Sequence, residues 1–217
     1  FKDEQGQPVS LGQLVDRPTI ILPIYHSCPG ACGLMMSSLS MVIKDLKSHE
    51  WGDYRAIAVS FDTDDTPEIS AAAKRTYLNL LSKDYPEEHW RFLTGNQMAI
   101  NHLLMSTGYK VEKVRKNLFN HPNAMSIVCS EGKIIRYMYG TRFLPFDVGM
   151  ALMEAEKGRP GVSIKKILTY CFEYDPDERR YTFRFIRIFG TLIPILLFGF
   201  YFFFLRKGNK PENRQTS

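Results

Sequence analysis

The sequence predicts an α/β fold: one mixed β-sheet flanked by helices on both faces, followed by a single C-terminal membrane-spanning helix. Three observations predict it. Short apolar runs alternate with helix-period segments, which implies parallel strands joined by helical crossovers. Two later strands on either side of Ser-Glu-Gly form a hairpin, which adds antiparallel strands. Residues 188–205, IFGTLIPILLFGFYFFFL, carry no charge at all.

Residues 19–25, TIILPIY, form an unbroken apolar run and read as a buried strand. HSCPGACG follows, a turn with Pro and Gly. Met35, Leu39, Val42 and Leu46 then recur on one face of a 3.6-residue period, so a helix is expected, starting near Pro29. Residues 54–61 are the next strand, with Ile57, Val59 and Phe61 alternating. In DTDDTPE, a loop, Thr66 is placed to cap a helix and Pro67 to occupy its first turn; that helix should reach Ser82. Residues 90–93 form a short strand, and residues 96–107 a helix stopped by Gly108. Residues 109–122 show no period and read as a loop or irregular hairpin. Residues 124–129 and 133–139 are the hairpin strands. A helix from Pro145 ends near Gly158, and residues 163–170 form another short one.

The boundaries that follow are 1–160 for the folded domain, 161–185 for a connecting segment, 186–206 for the membrane helix and 207–217 for a polar tail. Eighteen residues at 1.5 Å rise cover roughly 27 Å, close to the hydrocarbon thickness of a bilayer. Arg187 and Arg206 bracket the run and can snorkel to the interfaces. Pro194 and Gly199 are poor choices in a soluble helix but tolerated in lipid. The 217 residues carry a formal charge of +5. Much of the excess flanks the apolar run (Arg179, Arg180, Arg184 and Arg187 before it, Arg206, Lys207, Lys210 and Arg214 after it), which fits lipid headgroups as the partner rather than nucleic acid. The two flanks carry similar charge, so charge alone does not orient the span. The chain starts at Phe1 rather than Met, which a removed signal peptide would fit.

The four cysteines are Cys28, Cys32, Cys129 and Cys171, too few for a disulfide scaffold in a domain this large. Cys28 and Cys32, in Cys-Pro-Gly-Ala-Cys, sit where a buried strand gives way to a helix. On a helix starting near Pro29 the two thiols share one face, close enough for a disulfide or a shared metal. The helix N-terminus favours thiolate, and two thiolates suit soft metals: Cu(I), zinc or an iron–sulfur cluster. A structural zinc site takes four ligands, usually as two close pairs, and the chain has no second pair. Cu(I) is content with two or three ligands. Of five histidines, His121 in FNHPNAM is the best third ligand, on a loop free to approach the cysteines, although an ordinary loop histidine fits the spacing equally well. His26 reads as a strand-end side chain. His49, His89 and His102 read as surface residues. Met35 reads as packing and Met36 stays open as a thioether donor. Cys129 and Cys171 read as structural.

Taken together, these pieces resemble the Sco/SenC proteins, thioredoxin-fold copper chaperones of cytochrome oxidase assembly. The matching segments are GQPVSLGQL, the strand leading into CPGAC, VSFDTDDTPE, WRFLTG, His121 ahead of a strand, and SEGKIIRYMYG. The resemblance covers residues 1–158. TYCFEYDP and the C-terminal apolar helix look like a bacterial branch. It implies a thioredoxin-like fold, Cu(I) on Cys28 and Cys32, Cu(II) on those two with His121, and delivery to the dinuclear copper site of an oxidase subunit. It places the domain in the periplasm or outside, held to the inner membrane by one span. Two departures stand out. Gly30-Ala31 and Gly33 occupy positions where the family tends towards an acidic residue and a proline, and the anchor is C-terminal rather than N-terminal.

Two other functions compete. A membrane-tethered thiol–disulfide oxidoreductase needs only Cys28 and Cys32, with enzymatic turnover of partner cysteines. A peroxidase-like thiol enzyme would also need an activating Thr or Arg, for which Thr19 and Arg17 are the available residues. The sequence leaves the oligomeric state open.

Overall fold

The computed structural model describes residues 1–46, 53–116, 118–160, 172–175, 180–183 and 193–202. The chain divides into two compact units, Phe1–Gly161 and Val162–Ser217.

The first unit is built on a five-stranded sheet of order β3-β2-β1-β6-β7. β1 (Thr19–Ile24) lies at its centre, parallel to β2 (Arg55–Ser60), which is parallel to β3 (Trp90–Leu93). On its other side β1 runs antiparallel to β6 (Ala124–Val128), which forms a hairpin with β7 (Ile134–Tyr139). The mixed sheet expected from the sequence is therefore present. Every residue of β1 and β6 is buried. That explains their unbroken apolar runs: both faces are covered, so the alternation seen in half-exposed strands is missing. Ile20, Leu22 and Ile24 join Trp90 and Phe92 in one core with helix α2 (Ala31–Asp45) and the last helix of the unit, α5 (Pro145–Glu156). Ile21, Ile57, Val59, Leu93 and Val128 form the opposite core, with Leu103 of α4 (Gln97–Thr107).

Helix ends follow the sequence signals. The Thr66 side chain accepts a hydrogen bond from the Ile69 N–H, with Pro67 in the first turn of α3 (Pro67–Leu78), which ends four residues short of the expected Ser82. Asn96 caps α4 in the same way, and Gly108 ends it at φ +64°, in the left-handed region where glycine carries no steric cost. The four-residue helix α1 (Leu11–Leu14) precedes β1. Residues 109–122, without period in the sequence, contain a separate two-stranded hairpin of β4 (Glu112–Arg115) and β5 (Leu118–Asn120). All of β4 is exposed, so no apolar face marks it. The N-terminal residues are pinned beside β3: Lys2 and Thr94 exchange backbone hydrogen bonds, and buried Glu4 pairs with Lys74 and Arg91.

In the second unit β8 (Phe172–Asp175) and β9 (Arg180–Phe183) form an antiparallel hairpin within the expected connecting segment. The short helix expected at 163–170, and Cys171, lie outside the described residues. Of the expected span 186–206, residues 193–202 are described and helical; the rest lies outside. No helix among the described residues is long and apolar enough to cross a membrane.

Candidate metal centre

The centre forms where β1 ends. Tyr25 is buried, Cys28 is half-buried, and α2 begins at Ala31 with Cys32 in its first turn, 2% exposed. The helix thus starts two residues later than expected. Gly30, at φ −131° and ψ −124°, breaks the backbone between the thiols, so Cys28 sits on the loop and not on a shared helical face. The pair meets all the same: Cys28 and Cys32 line one small cavity and shift each other's ionisation. Cys28 Sγ accepts the Gly30 N–H at 3.3 Å, and Tyr25 lines the same cavity.

The third residue arrives through sheet register. β1 and β6 pair as Thr19 with Val128, Ile20 with Ile127 and Ile21 with Ser126. Carried forward, that antiparallel register sets His121 across from His26, two residues before Cys28. His121 Nε2 lies 3.7 Å from Cys32 Sγ, across 89 residues of chain. The imidazole is packed against the rings of Phe61, Tyr25 and Tyr109, with centroids at 5.1, 6.1 and 6.4 Å. Its Nδ1 is 3.1 Å from the Pro122 carbonyl. A carbonyl only accepts, so Nδ1 carries the proton there and the Nε2 lone pair faces the sulfur. Cys32 is the shared member, touching His121 on one side and Cys28 on the other. Among the described residues no three His, Cys, Asp or Glu side chains converge closely enough to hold a metal ion in this arrangement.

The two thiols are electrostatically unequal. Burial pushes the Cys32 thiol far up, and the neighbouring Cys28 adds to that. Burial also pushes Cys28 up, but hydrogen bonds from Tyr25, the Gly30 N–H and Cys32 outweigh it, and its thiol ends below the usual range. Cys28 is therefore the less covered, more readily ionised sulfur and Cys32 the buried one whose proton is held more tightly. Two thiols and an imidazole nitrogen make a soft-to-borderline donor set, which fits copper in both common oxidation states.

Several residues of the site had no sequence signal. Asp65, in what reads as a solvated loop, is buried; its Oδ2 accepts the His26 N–H at 2.5 Å and the Ser60 hydroxyl at 2.6 Å, fixing the start of the cysteine loop. His26 is more than a strand-end side chain: its Nε2 meets the Leu93 carbonyl at 3.1 Å, and burial holds it below the usual imidazole range against the pull of Asp65. Met35 packs in the core as expected; Met36, 1% exposed, joins Cys28, Cys32 and Tyr77 around a small cavity. His102 is exposed on α4, His89 lies in a short 3₁₀ turn, His49 is outside the described residues, and Cys129 is buried and unpaired. Thr19 and Arg17 are far from the thiols, at the opposite end of β1, roughly 20 Å along the strand. The Thr19 hydroxyl donates to the Arg17 carbonyl, and Arg17 pairs with Asp16 and Asp53, so neither activates a cysteine.

A cysteine pair hung between a central strand and the helix behind it is what a thioredoxin-like domain presents, and the facing histidine suits it to metal as well as thiol chemistry. The chain belongs to the SCO1/SenC family, whose sequence profile matches residues 1–143. It is similar to a protein of Aquifex aeolicus VF5 with a suggested electron-transfer role: 26% identity over 73% of this chain and 89% of that one, TM-score 0.63. It is also similar to BsSco, a member of the Sco family of cytochrome c oxidase assembly proteins: 27% identity over 72% and 90% of the two chains, TM-score 0.60. Arabidopsis thaliana ScoI, solved with copper bound, shares the fold at 18% identity over 72% and 94%, TM-score 0.60. No curated protein matches the chain by sequence.

Proposed function

We propose that this protein is a membrane-anchored copper-binding factor that helps assemble the copper centre of a respiratory oxidase. One observation carries the proposal: Cys32 Sγ and His121 Nε2, remote in sequence, face each other at 3.7 Å beside a second thiol. Cu(I), a soft ion, is bound by Cys28 and Cys32; Cu(II), a harder one, also recruits His121. Binding releases thiol protons, first from Cys28, whose sulfur is more exposed and more readily ionised. For the same reason a receiving site on an oxidase subunit gains its first bond to the metal on the Cys28 side, while buried Cys32 is the last to let go. Segment 186–206 anchors the chain as a single span in the bacterial inner membrane. Domain 1–160 faces the periplasm or outside, 161–185 connects the two, and 207–217 forms the tail.

The test is anaerobic copper titration of the reduced full chain in detergent. Cys28→Ala should lose stoichiometric Cu(I). His121→Ala should keep Cu(I) and lose Cu(II). A wild-type chain that takes up no copper would defeat the proposal.

The inequality of the thiols favours a second reading, a membrane-tethered thiol–disulfide oxidoreductase. In it the Cys28 thiolate attacks a partner disulfide and releases one partner thiolate. Cys32 then gives up its proton and attacks the mixed disulfide, which leaves Cys28–Cys32 oxidised and the partner a dithiol. His121→Ala separates the readings, because it should leave this exchange intact.

A further inference from the structure

Tyr109 has no place in the ligand set, yet its hydroxyl and its ring both meet His121. It follows Gly108 directly, and its N–H bonds back to the Leu104 carbonyl at 2.9 Å, so the left-handed cap of α4 turns it inward. The side chain is 7% exposed. Its hydroxyl reaches three groups: the Pro23 carbonyl at 3.2 Å, the Pro122 carbonyl, and His121 Nδ1 at 3.3 Å. Pro23 is in β1, the strand that feeds the cysteine loop; Pro122 is next to the histidine. β1 pairs with β6 over Thr19–Ile21, so Pro23 follows the end of that pairing and its carbonyl is open to a side-chain donor.

We infer that Tyr109 is the positioning residue of the histidine arm: its hydroxyl ties residues 121–122 to the end of β1 and holds His121 with Nδ1 protonated and Nε2 aimed at Cys32. The proton accounting permits one arrangement. Both carbonyls only accept, so the hydroxyl spends its single proton on them. Its oxygen is then left to accept, and His121 Nδ1–H supplies the donor, shared with the Pro122 carbonyl at 3.1 Å. The ring stack of Tyr109 on His121, with planes 25° apart, orients the imidazole further. A partner on the non-ligating nitrogen is the usual way a ligating histidine is held to one tautomer.

Applied to the copper reading above, on which this part rests, the inference separates the two oxidation states. Tyr109 acts only through His121, so it matters for the state that uses the imidazole and not for the state held by two sulfurs. Tyr109→Phe removes the hydroxyl and keeps the ring that packs on Phe61. In the full chain, Tyr109→Phe should leave Cu(I) affinity within about threefold of wild type and lower Cu(II) affinity ~10–100-fold, with a changed Cu(II) absorption spectrum. Loss confined to Cu(II) is not what general destabilisation would give. A second measurement needs no metal. Long-range ¹H–¹⁵N correlation of the imidazole nitrogens at pH 8.5 should show the Nδ1–H tautomer for His121 in the wild type and a mixture in Tyr109→Phe. Wild-type Cu(II) affinity in Tyr109→Phe, or an unchanged tautomer there, would overturn the inference. If the wild-type chain binds no copper, the copper reading fails while the tautomer experiment still decides the role of Tyr109. An Nε2–H tautomer in the wild type overturns it outright.

Discussion

Replacing Asp65 by alanine should loosen the cysteine loop at its root, and the structure gives the size of the effect. Two donors end on Asp65 Oδ2: the His26 backbone N–H at 2.5 Å and the Ser60 hydroxyl at 2.6 Å. Both are charge-assisted bonds to a carboxylate that is itself buried. Losing one partner of such a bond costs about 1.5–3 kcal/mol when the remaining group stays buried. The Ser60 hydroxyl has a second acceptor in the Asp62 carbonyl at 3.4 Å, so its share falls below that range. No other acceptor for the His26 N–H is present among the described residues. The total for Asp65→Ala is then about 3 kcal/mol, and for a chain of this length the melting temperature should fall by roughly 6–12 °C. Asp65→Asn retains an acceptor oxygen and should recover about half of the loss. Urea unfolding followed by circular dichroism measures both variants. If Asp65→Ala lost less than about 1 kcal/mol, the carboxylate would not be what fixes residues 26–28.

Three further outcomes are expected. Glu4→Ala leaves the buried Lys74 without the carboxylate it pairs with and should destabilise by about 3–5 kcal/mol in thermal unfolding; adding Lys74→Met should restore part of it. Alkylation of the reduced chain, read by mass spectrometry, should label Cys28 before Cys32. Its rate should rise with pH through a midpoint below that of an ordinary thiol, because hydrogen-bond donors favour the Cys28 thiolate while burial keeps Cys32 protonated. Gly108→Ala forces a Cβ into φ +64° and should cost about 1 kcal/mol, with a loss of Cu(II) binding on top because Tyr109 is the next residue.

The framework was legible because its signals are local. Thr66-Pro67 and Asn96 announce helix starts through a side-chain oxygen and a fixed φ, and Gly108 announces a stop; each acts within four residues of itself. The β6–β7 hairpin is legible for the same reason, through Gly132 at φ +77° in its turn. The start of α2 was not. Pro29 is a good first-turn residue, but Gly30 takes a backbone conformation that no rule of composition anticipates, and it displaces Cys28 from the helix. β4–β5 could be read only as a loop or irregular hairpin, because the full exposure of β4 erases the period. Asp65 was missed because an aspartate in DTDD has the composition of a solvated loop; only its burial beneath His26 and Ser60 gives it a role. Tyr109 was hidden in the aperiodic stretch, since a hydroxyl that bridges three groups leaves no trace in spacing.

The candidate site itself was legible to an intermediate degree, and the reason lies in topology. Cys28 and Cys32 announce themselves by proximity in sequence. His121 does not, and from spacing alone an ordinary loop histidine fits as well. What removes the ambiguity is the antiparallel pairing of β1 with β6. In a parallel pair the end of one strand lies beside the end of its neighbour; in an antiparallel pair it lies beside the beginning. Residues that follow β1 must therefore meet residues that precede β6, and those are Tyr25–Cys28 and His121–Pro122. A slip of one residue in that register would turn every β6 side chain to the other face. It would move Met125 and Ile127 out of the core they share with α2, and carry His121 away from Cys32 in the same step. Packing of β6 and placement of the histidine are thus one constraint. The hydrophobic core, by fixing register, fixes the distance between a thiol and an imidazole that are 89 residues apart.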